Sequence, residues 1–210
     1  MEKLIVATKN KGKMKEIRSI FNSLPYEIFS MEEAGIKIDV LEDGITFEEN
    51  ALIKATEIQK ITGGSVLADD SGLVVDALNG EPGIMSARYG SGIVNGDTGA
   101  TSYDTGIPKD DTERYLLLLK NMKGVPLEKR TARFVCAAAF VSADTRYVVR
   151  GEVEGTILEE PRGENGFGYD PIFLVENIGK TAAELTEEEK NILSHRGRAL
   201  RLLIEKMKTV

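Results

Sequence analysis

Cysteine occurs once in these 210 residues, histidine once, and tryptophan not at all. A single cysteine permits no disulfide within the chain. Cys136 also lies inside the apolar run Phe134-Val135-Cys136-Ala137-Ala138-Ala139-Phe140-Val141, the setting of a buried, inert thiol. One histidine and one cysteine cannot build a zinc cluster, and a Ser-His-Asp triad would rest on His195 alone. Long apolar runs are missing too. None approaches the ~18 residues of a membrane span, and Met1-Glu2-Lys3-Leu4 leads into a strand-like segment rather than a signal peptide. Positive charge is in deficit, with 27 Lys and Arg against 34 Asp and Glu, so a net charge of −7 gives no overall attraction to a nucleic-acid polymer. The expectation is a soluble, cytoplasmic protein with a small-molecule partner, no nucleic acid and no membrane. A length of 210 with 41% hydrophobic residues supports one sizeable core, hence a single domain over residues 1–210.

What is present reads as interleaved strands and helices. Leu4-Ile5-Val6-Ala7 is a strand, and Met14, Ile17, Ile20, Phe21 and Leu24 fall at helical spacing after a polar turn. Thr46 with Glu49 three residues later is a capping-box pattern that opens a helix running to Gly63-Gly64. Ser65-Val66-Leu67-Ala68 is the next strand, and Asp69-Asp70-Ser71-Gly72 reads as the turn that ends it. Gly90 to Pro108 is rich in Gly, Ser, Thr, Asn and Asp, a long loop with the character of a lid. Asp110 or Asp111 caps a helix through Leu116 to Leu119. Thr131 to Ser142 and Tyr147 to Glu154 form a hairpin, and Tyr169 to Val175 is a further apolar run. Thr186 with Glu189 repeats the capping-box pattern, and a final helix follows a break at Ser194 to Gly197. The class is α/β or α+β with a mixed β-sheet flanked by helices.

Five segments carry candidate chemistry. Thr8-Lys9-Asn10-Lys11-Gly12-Lys13 stands where a strand hands over to a helix, where backbone amides and lysines suit a phosphate. It is not a Walker A loop, because Met14 replaces the required Ser or Thr and no glycine stands five positions before Gly12. Glu42-Asp43 and Asp69-Asp70 supply hard oxygen ligands of the kind Mg²⁺ takes, one or two at a time, alongside substrate phosphates. Either pair alone is also ordinary turn chemistry, and Glu16, Glu48 and Glu49 are further carboxylates near the same segments. Gly163-Glu164-Asn165-Gly166-Phe167-Gly168-Tyr169-Asp170-Pro171 joins backbone freedom to two aromatics that could stack on a base or plug the core. Ser194-His195-Arg196-Gly197 falls at the break between two helices.

Taken in order, these segments resemble the inosine triphosphate pyrophosphatase family. The resemblance covers nearly the whole chain and rests on Thr8 to Lys13, Thr46 to Ala51, Asp69 to Leu73, Pro82 to Tyr89, Gly166 to Pro171 and Ser194 to Gly197. It implies an elongated α/β fold with two lobes around a central substrate cleft, a homodimer, and Mg²⁺-dependent hydrolysis of ITP, dITP and XTP to a monophosphate and pyrophosphate. By similarity, Thr8, Lys9, Asn10, Lys11, Gly12 and Lys13 bind the triphosphate, and Glu42 and Asp70 hold the metal. Asp70 is also the general base, and Ser71 contacts substrate. Phe167, Gly168, Tyr169 and Asp170 embrace base and sugar, while Lys190, His195 and Arg196 complete the nucleobase pocket. Lys54 is a further candidate for phosphate contact. Two departures stand out: the loop before Pro108 is longer than the family's, and Asp111-Thr112-Glu113-Arg114 lacks an asparagine often found there. The alternatives are a non-catalytic nucleotide-binding module and a pyrophosphatase for modified pyrimidine or methylated nucleotides on a related fold. The paired Glu42 and Asp70 speak against the first, and the aromatic and His-Arg segments against the second.

Overall fold

The computed structural model describes residues 1–91 and 108–208. Six strands, β1 (Glu2–Val6), β2 (Tyr26–Ser30), β3 (Ser65–Val75), β4 (Thr131–Val141), β5 (Arg146–Ile157) and β6 (Phe173–Val175), form one sheet in the order β2-β1-β3-β4-β5-β6. The sheet is mixed. β1 runs parallel to β2 and β3, with Leu4 opposite Ile28 and Ser65, whereas β5 and β6 are antiparallel, with Thr156 opposite Leu174. Among the described residues five α-helices accompany it: α1 (Lys11–Phe21), α2 (Phe47–Thr62), α3 (Asp111–Asn121), α4 (Glu187–Leu193) and α5 (His195–Lys208). The lid expected of Gly90 to Pro108 lies, for residues 92–107, outside the described residues.

The chain divides into two compact units, Met1–Ser71 with Val135–Glu152 and Asn191–Val210, and Gly72–Phe134 with Val153–Lys190. In the first unit the apolar stripes of α1 (Met14, Ile17, Phe21) and α5 (Ala199, Leu200, Leu203) pack with Leu4, Val6, Leu67 and Phe140. Each large side chain so buried is worth about 1.5–3 kcal/mol relative to an exposed one. Gly151 of β5 explains how α5 comes so close: a Cβ there would lie 2.4 Å from the His195 carbonyl and 2.5 Å from the Ala199 nitrogen. Any side chain at 151 would push away the helix that carries Arg196.

Helix ends follow the sequence signals. Thr46 accepts from the Glu49 amide at 3.1 Å while the Glu49 carboxylate takes the Thr46 amide, and Gly63 closes α2 in the left-handed region. Thr186 and Glu189 repeat the exchange ahead of α4. Asp110, rather than Asp111, is the cap of α3, accepting from Glu113 at 2.8 Å.

Two elements differ from the sequence expectation. Asp69-Asp70-Ser71-Gly72 is not a turn, because β3 continues unbroken from Ser65 to Val75. Charged side chains survive in its interior because cations from other elements meet them there. The strand β2 was not expected: Tyr26-Glu27-Ile28-Phe29-Ser30 is an edge strand whose residues are intermediate or exposed, without the buried apolar alternation that marks a half-buried strand.

Candidate functional site

Because β3 is extended, Asp69 and Asp70 project to opposite faces and acquire separate partners. Asp69 is completely buried as a side chain, with Lys13 Nζ and Arg196 Nε each 3.1 Å from its Oδ2. Burial alone would push this carboxyl up, but the charges of Lys13 and Arg196 outweigh it and hold Asp69 well below the usual carboxylate range. The buried thiol of Cys136 stands 3.9 Å away and is pushed far up by desolvation, which fits the inert role expected of it.

Arg196 is the hub of this cluster. Its Nη2 donates to Ser71 Oγ at 2.8 Å, its Nη1 pairs with Glu16 of α1, and its Nε binds Asp69. Lys13 and Glu16 lie three residues apart on one face of α1, which is why one helix supplies both a cation and an anion here. Gly197 permits the geometry, since a Cβ there would come 2.1 Å from the Asn191 carbonyl at the end of α4. Arg201 caps that same end, donating to the carbonyls of Asn191 and Ile192.

On the other face of β3, Lys54 Nζ sits 2.9 Å from Glu42 Oε2 and 3.3 Å from Asp70 Oδ1, and Asn50 Nδ2 donates to Asp70 Oδ2 at 3.4 Å. Asn50 also accepts from the Gly44 amide at 2.9 Å, tying the Glu42-bearing segment to α2. Two carboxylates therefore converge on one cationic centre, here an ammonium. Burial raises Asp70 above its ordinary value, against the lowering by Lys54 and Lys13, so this carboxyl is a better proton acceptor than an exposed one. Lys54 stays protonated, because Asp70, Glu42 and Asp69 more than offset its burial. Among the described residues no three His, Cys, Asp or Glu side chains gather as a protein-only metal cage would require. A pair is what Mg²⁺ uses when phosphate oxygens and water complete its shell.

The lysines of Thr8 to Lys13 do not act as one group. Lys13 faces Asp69, whereas Lys9 pairs with Asp39 at the surface. Thr8, Lys9, Asn10 and Lys11 line a cavity of about 610 Å³ together with Lys15 and Arg18. Lys11, Lys15 and Arg18 share the face of α1 turned away from Lys13 and Glu16, as 100° per residue dictates. Asn10 is the N-cap of α1, its Oδ1 accepting from Lys13 at 3.0 Å, so its amide NH₂ is the donor left for a ligand. Gly12 is in the first turn of that helix.

The second unit carries the aromatic turn. Phe167 N–H donates to Asp170 Oδ2 at 2.9 Å, Lys190 Nζ donates to the same oxygen at 2.6 Å, and that ammonium lies 5.0 Å from the centre of the Phe167 ring. Gly166, at φ +82°, passes so close to Asp170 that a Cβ would lie 2.0 Å from Oδ2. Tyr169 is buried, its hydroxyl donates to the Ser86 carbonyl at 2.8 Å, and desolvation pushes its pKa far up. Of the two aromatics, Tyr169 is built into the core and Phe167 is half-buried. His195 is buried at the start of α5.

A family model for the Ham1 family matches residues 4–206. The chain belongs to the Ham1 family. Among its relatives, a protein of Geobacter sulfurreducens named dITP/XTP pyrophosphatase is 49% identical over 97% of this chain and 95% of its own. A protein of the same name from Bacillus cereus is 46% identical over 99% of this chain and 95% of its own. The solved structure of a HAM1 protein from Coxiella burnetii superposes with a TM-score of 0.82 at 38% identity, covering 100% of both chains. The Ham1 fold therefore extends over this chain, with the mixed six-stranded sheet and flanking helices described above.

Lys54, a lesser candidate in the sequence than the loop lysines, is the cation that joins Glu42 to Asp70. Its position four residues after Asn50, on the same face of α2, was the available signal. Glu16 appeared only as a nearby carboxylate, and its link to Arg196, 180 positions away, has no local signature.

Proposed function

We propose that this Ham1 protein hydrolyses 6-oxo purine nucleoside triphosphates, dITP, XTP and ITP, to the monophosphate and pyrophosphate, clearing them from the nucleotide pool. The observation that carries the reading is the convergence of Glu42 and Asp70 on one cationic centre, the Lys54 ammonium. The names of its relatives point to the same substrates. Glu42 and Asp70 would hold Mg²⁺, which supplies charge neutralisation on the phosphate oxygens when bound. Lys13 and Lys54 stabilise the charge that grows on departing pyrophosphate. Asp70, its carboxylate oriented by Asn50, would accept the proton of the attacking water. Ser71 is held ready for substrate by Arg196.

In the second unit, Phe167 stacks on the base and the Lys190 ammonium beside its ring donates to the 6-oxo oxygen. An adenine 6-amino group would leave such a donor unpaired, at about 1–3 kcal/mol. Guanine shares the 6-oxo group, so its rejection requires that the 2-amino group lack space or an acceptor. Among the described residues no helix is long and apolar enough to cross a membrane. A cytoplasmic homodimer is the form we propose.

An Asp70→Asn variant tests the catalytic assignment. It should bind ITP with near-normal affinity by calorimetry and release pyrophosphate at least about 100-fold more slowly. Full turnover in that variant would remove Asp70 from the chemistry.

A further inference from the structure

The turn from Gly166 to Asp170 is anchored by more than its own residues. Its Gly168 amide donates to Asp111 Oδ2 at 2.8 Å, across 57 positions, to the first residue of α3. Arg114, the next turn of α3, pairs with Asp111 Oδ1 at 3.1 Å and donates its Nε to the Ala87 carbonyl at 3.2 Å. All of these residues belong to the second unit.

The Gly168 amide and the Phe167 carbonyl share one peptide plane, so whatever fixes the first orients the backbone that carries the Phe167 ring. Gly168 sits at φ +65° with nothing within 4 Å of where a Cβ would be, and the Phe167 carbonyl at the other end of the plane accepts from the Asp170 amide at 3.4 Å. Glycine's backbone has wide conformational freedom, which a hydrogen bond to its amide narrows.

We propose that Asp111 is a positioning residue for nucleobase recognition, holding the Phe167–Gly168 peptide so that the aromatic ring meets the purine at a fixed angle, with Arg114 fixing Asp111 in turn. The inference rests on the reading above that the base lies against Phe167. It adds a determinant from outside the glycine-aromatic segment. It also gives Arg114, in the segment where the family's asparagine is missing, a task.

The test is steady-state pyrophosphate release from ITP and ATP by the full chain and its Asp111→Ala, Asp111→Asn and Phe167→Ala variants, with Tm measured for each. Asp111→Ala should raise the KM for ITP about 3- to 10-fold, the worth of one net hydrogen bond, and narrow the preference for ITP over ATP. Its kcat should stay near wild type and its Tm should fall by no more than about 2–4 °C, the worth of one hydrogen bond. Asp111→Asn keeps an acceptor for the Gly168 amide and should recover most of the lost affinity. Wild-type KM and preference in Asp111→Ala, alongside a raised KM in Phe167→Ala, would overturn the proposal and leave the base site standing. Equal impairment of the Ala and Asn variants, or a fall in kcat and Tm with KM unmoved, would also overturn it. An unchanged ITP KM in Phe167→Ala would remove the base site itself, and this inference with it.

Discussion

Replacing Asp69 by Asn removes one of two carboxylates that balance Lys13 and Arg196 in a pocket where the Asp69 and Arg196 side chains are 0% and 1% exposed. The amide can still accept from both cations, but the negative charge that both of them pair with is then gone. Breaking a buried, hydrogen-bonded charge pair in this way costs about 3–5 kcal/mol. At roughly 2–4 °C per kcal/mol for a domain of this size, the Tm at pH 7 should fall by about 6 to 20 °C. The pH dependence has a definite sign. Asp69 has its carboxyl lowered in the folded state, so its contribution is present above the unfolded value, near 3.9, and is lost as pH falls through the folded one. Thermal unfolding followed by circular dichroism from pH 7 down to about 3 should therefore show the gap between wild type and Asp69→Asn closing on the acid side. A gap below about 2 °C at pH 7, or one that stays constant with pH, would refute the claim that this buried pair is energetically coupled.

Two further substitutions probe the aromatic turn. Tyr169→Phe removes the hydroxyl bound to the Ser86 carbonyl and should lower stability by about 1 kcal/mol, roughly 2–4 °C in Tm, with the KM for ITP unchanged; a raised KM at constant Tm would give the hydroxyl to substrate instead. Gly166→Ala places a Cβ against Asp170 at a positive φ and should cost about 1–3 kcal/mol in thermal unfolding, whereas a wild-type Tm would show that the turn relaxes without strain.

The sequence was most readable where local chemistry decides structure. Both capping boxes and the Gly63 stop were legible because each is a hydrogen bond or a backbone angle set by residues a few positions apart, whereas the break expected from Ser194 to Gly197 is confined to Ser194, with His195 already in α5. The Asp69-Asp70 segment misled for the same reason: locally it has turn residues, and only Lys13, Arg196 and Lys54, brought from α1, α5 and α2, make a buried strand tolerable there. Such cations carry no local mark of their destination. Arg196 illustrates this limit for the candidate site. Its motif suggested a donor to the nucleobase, whereas in the folded chain its three nitrogens bind Asp69, Glu16 and Ser71. Asp111 was legible only as a cap candidate, because a side chain that accepts one distant backbone amide has no pattern to show.

Hydrolysis selective for 6-oxo purines is tested most directly by pyrophosphate release measured on ITP, dITP, XTP, GTP and ATP, with and without Mg²⁺. The expected result is a kcat/KM for ITP, dITP and XTP about 5- to 150-fold above that for ATP, matching one unpaired buried donor, and loss of turnover when Mg²⁺ is withheld. Equal rates on ATP and ITP, or full turnover without a divalent cation, would contradict it.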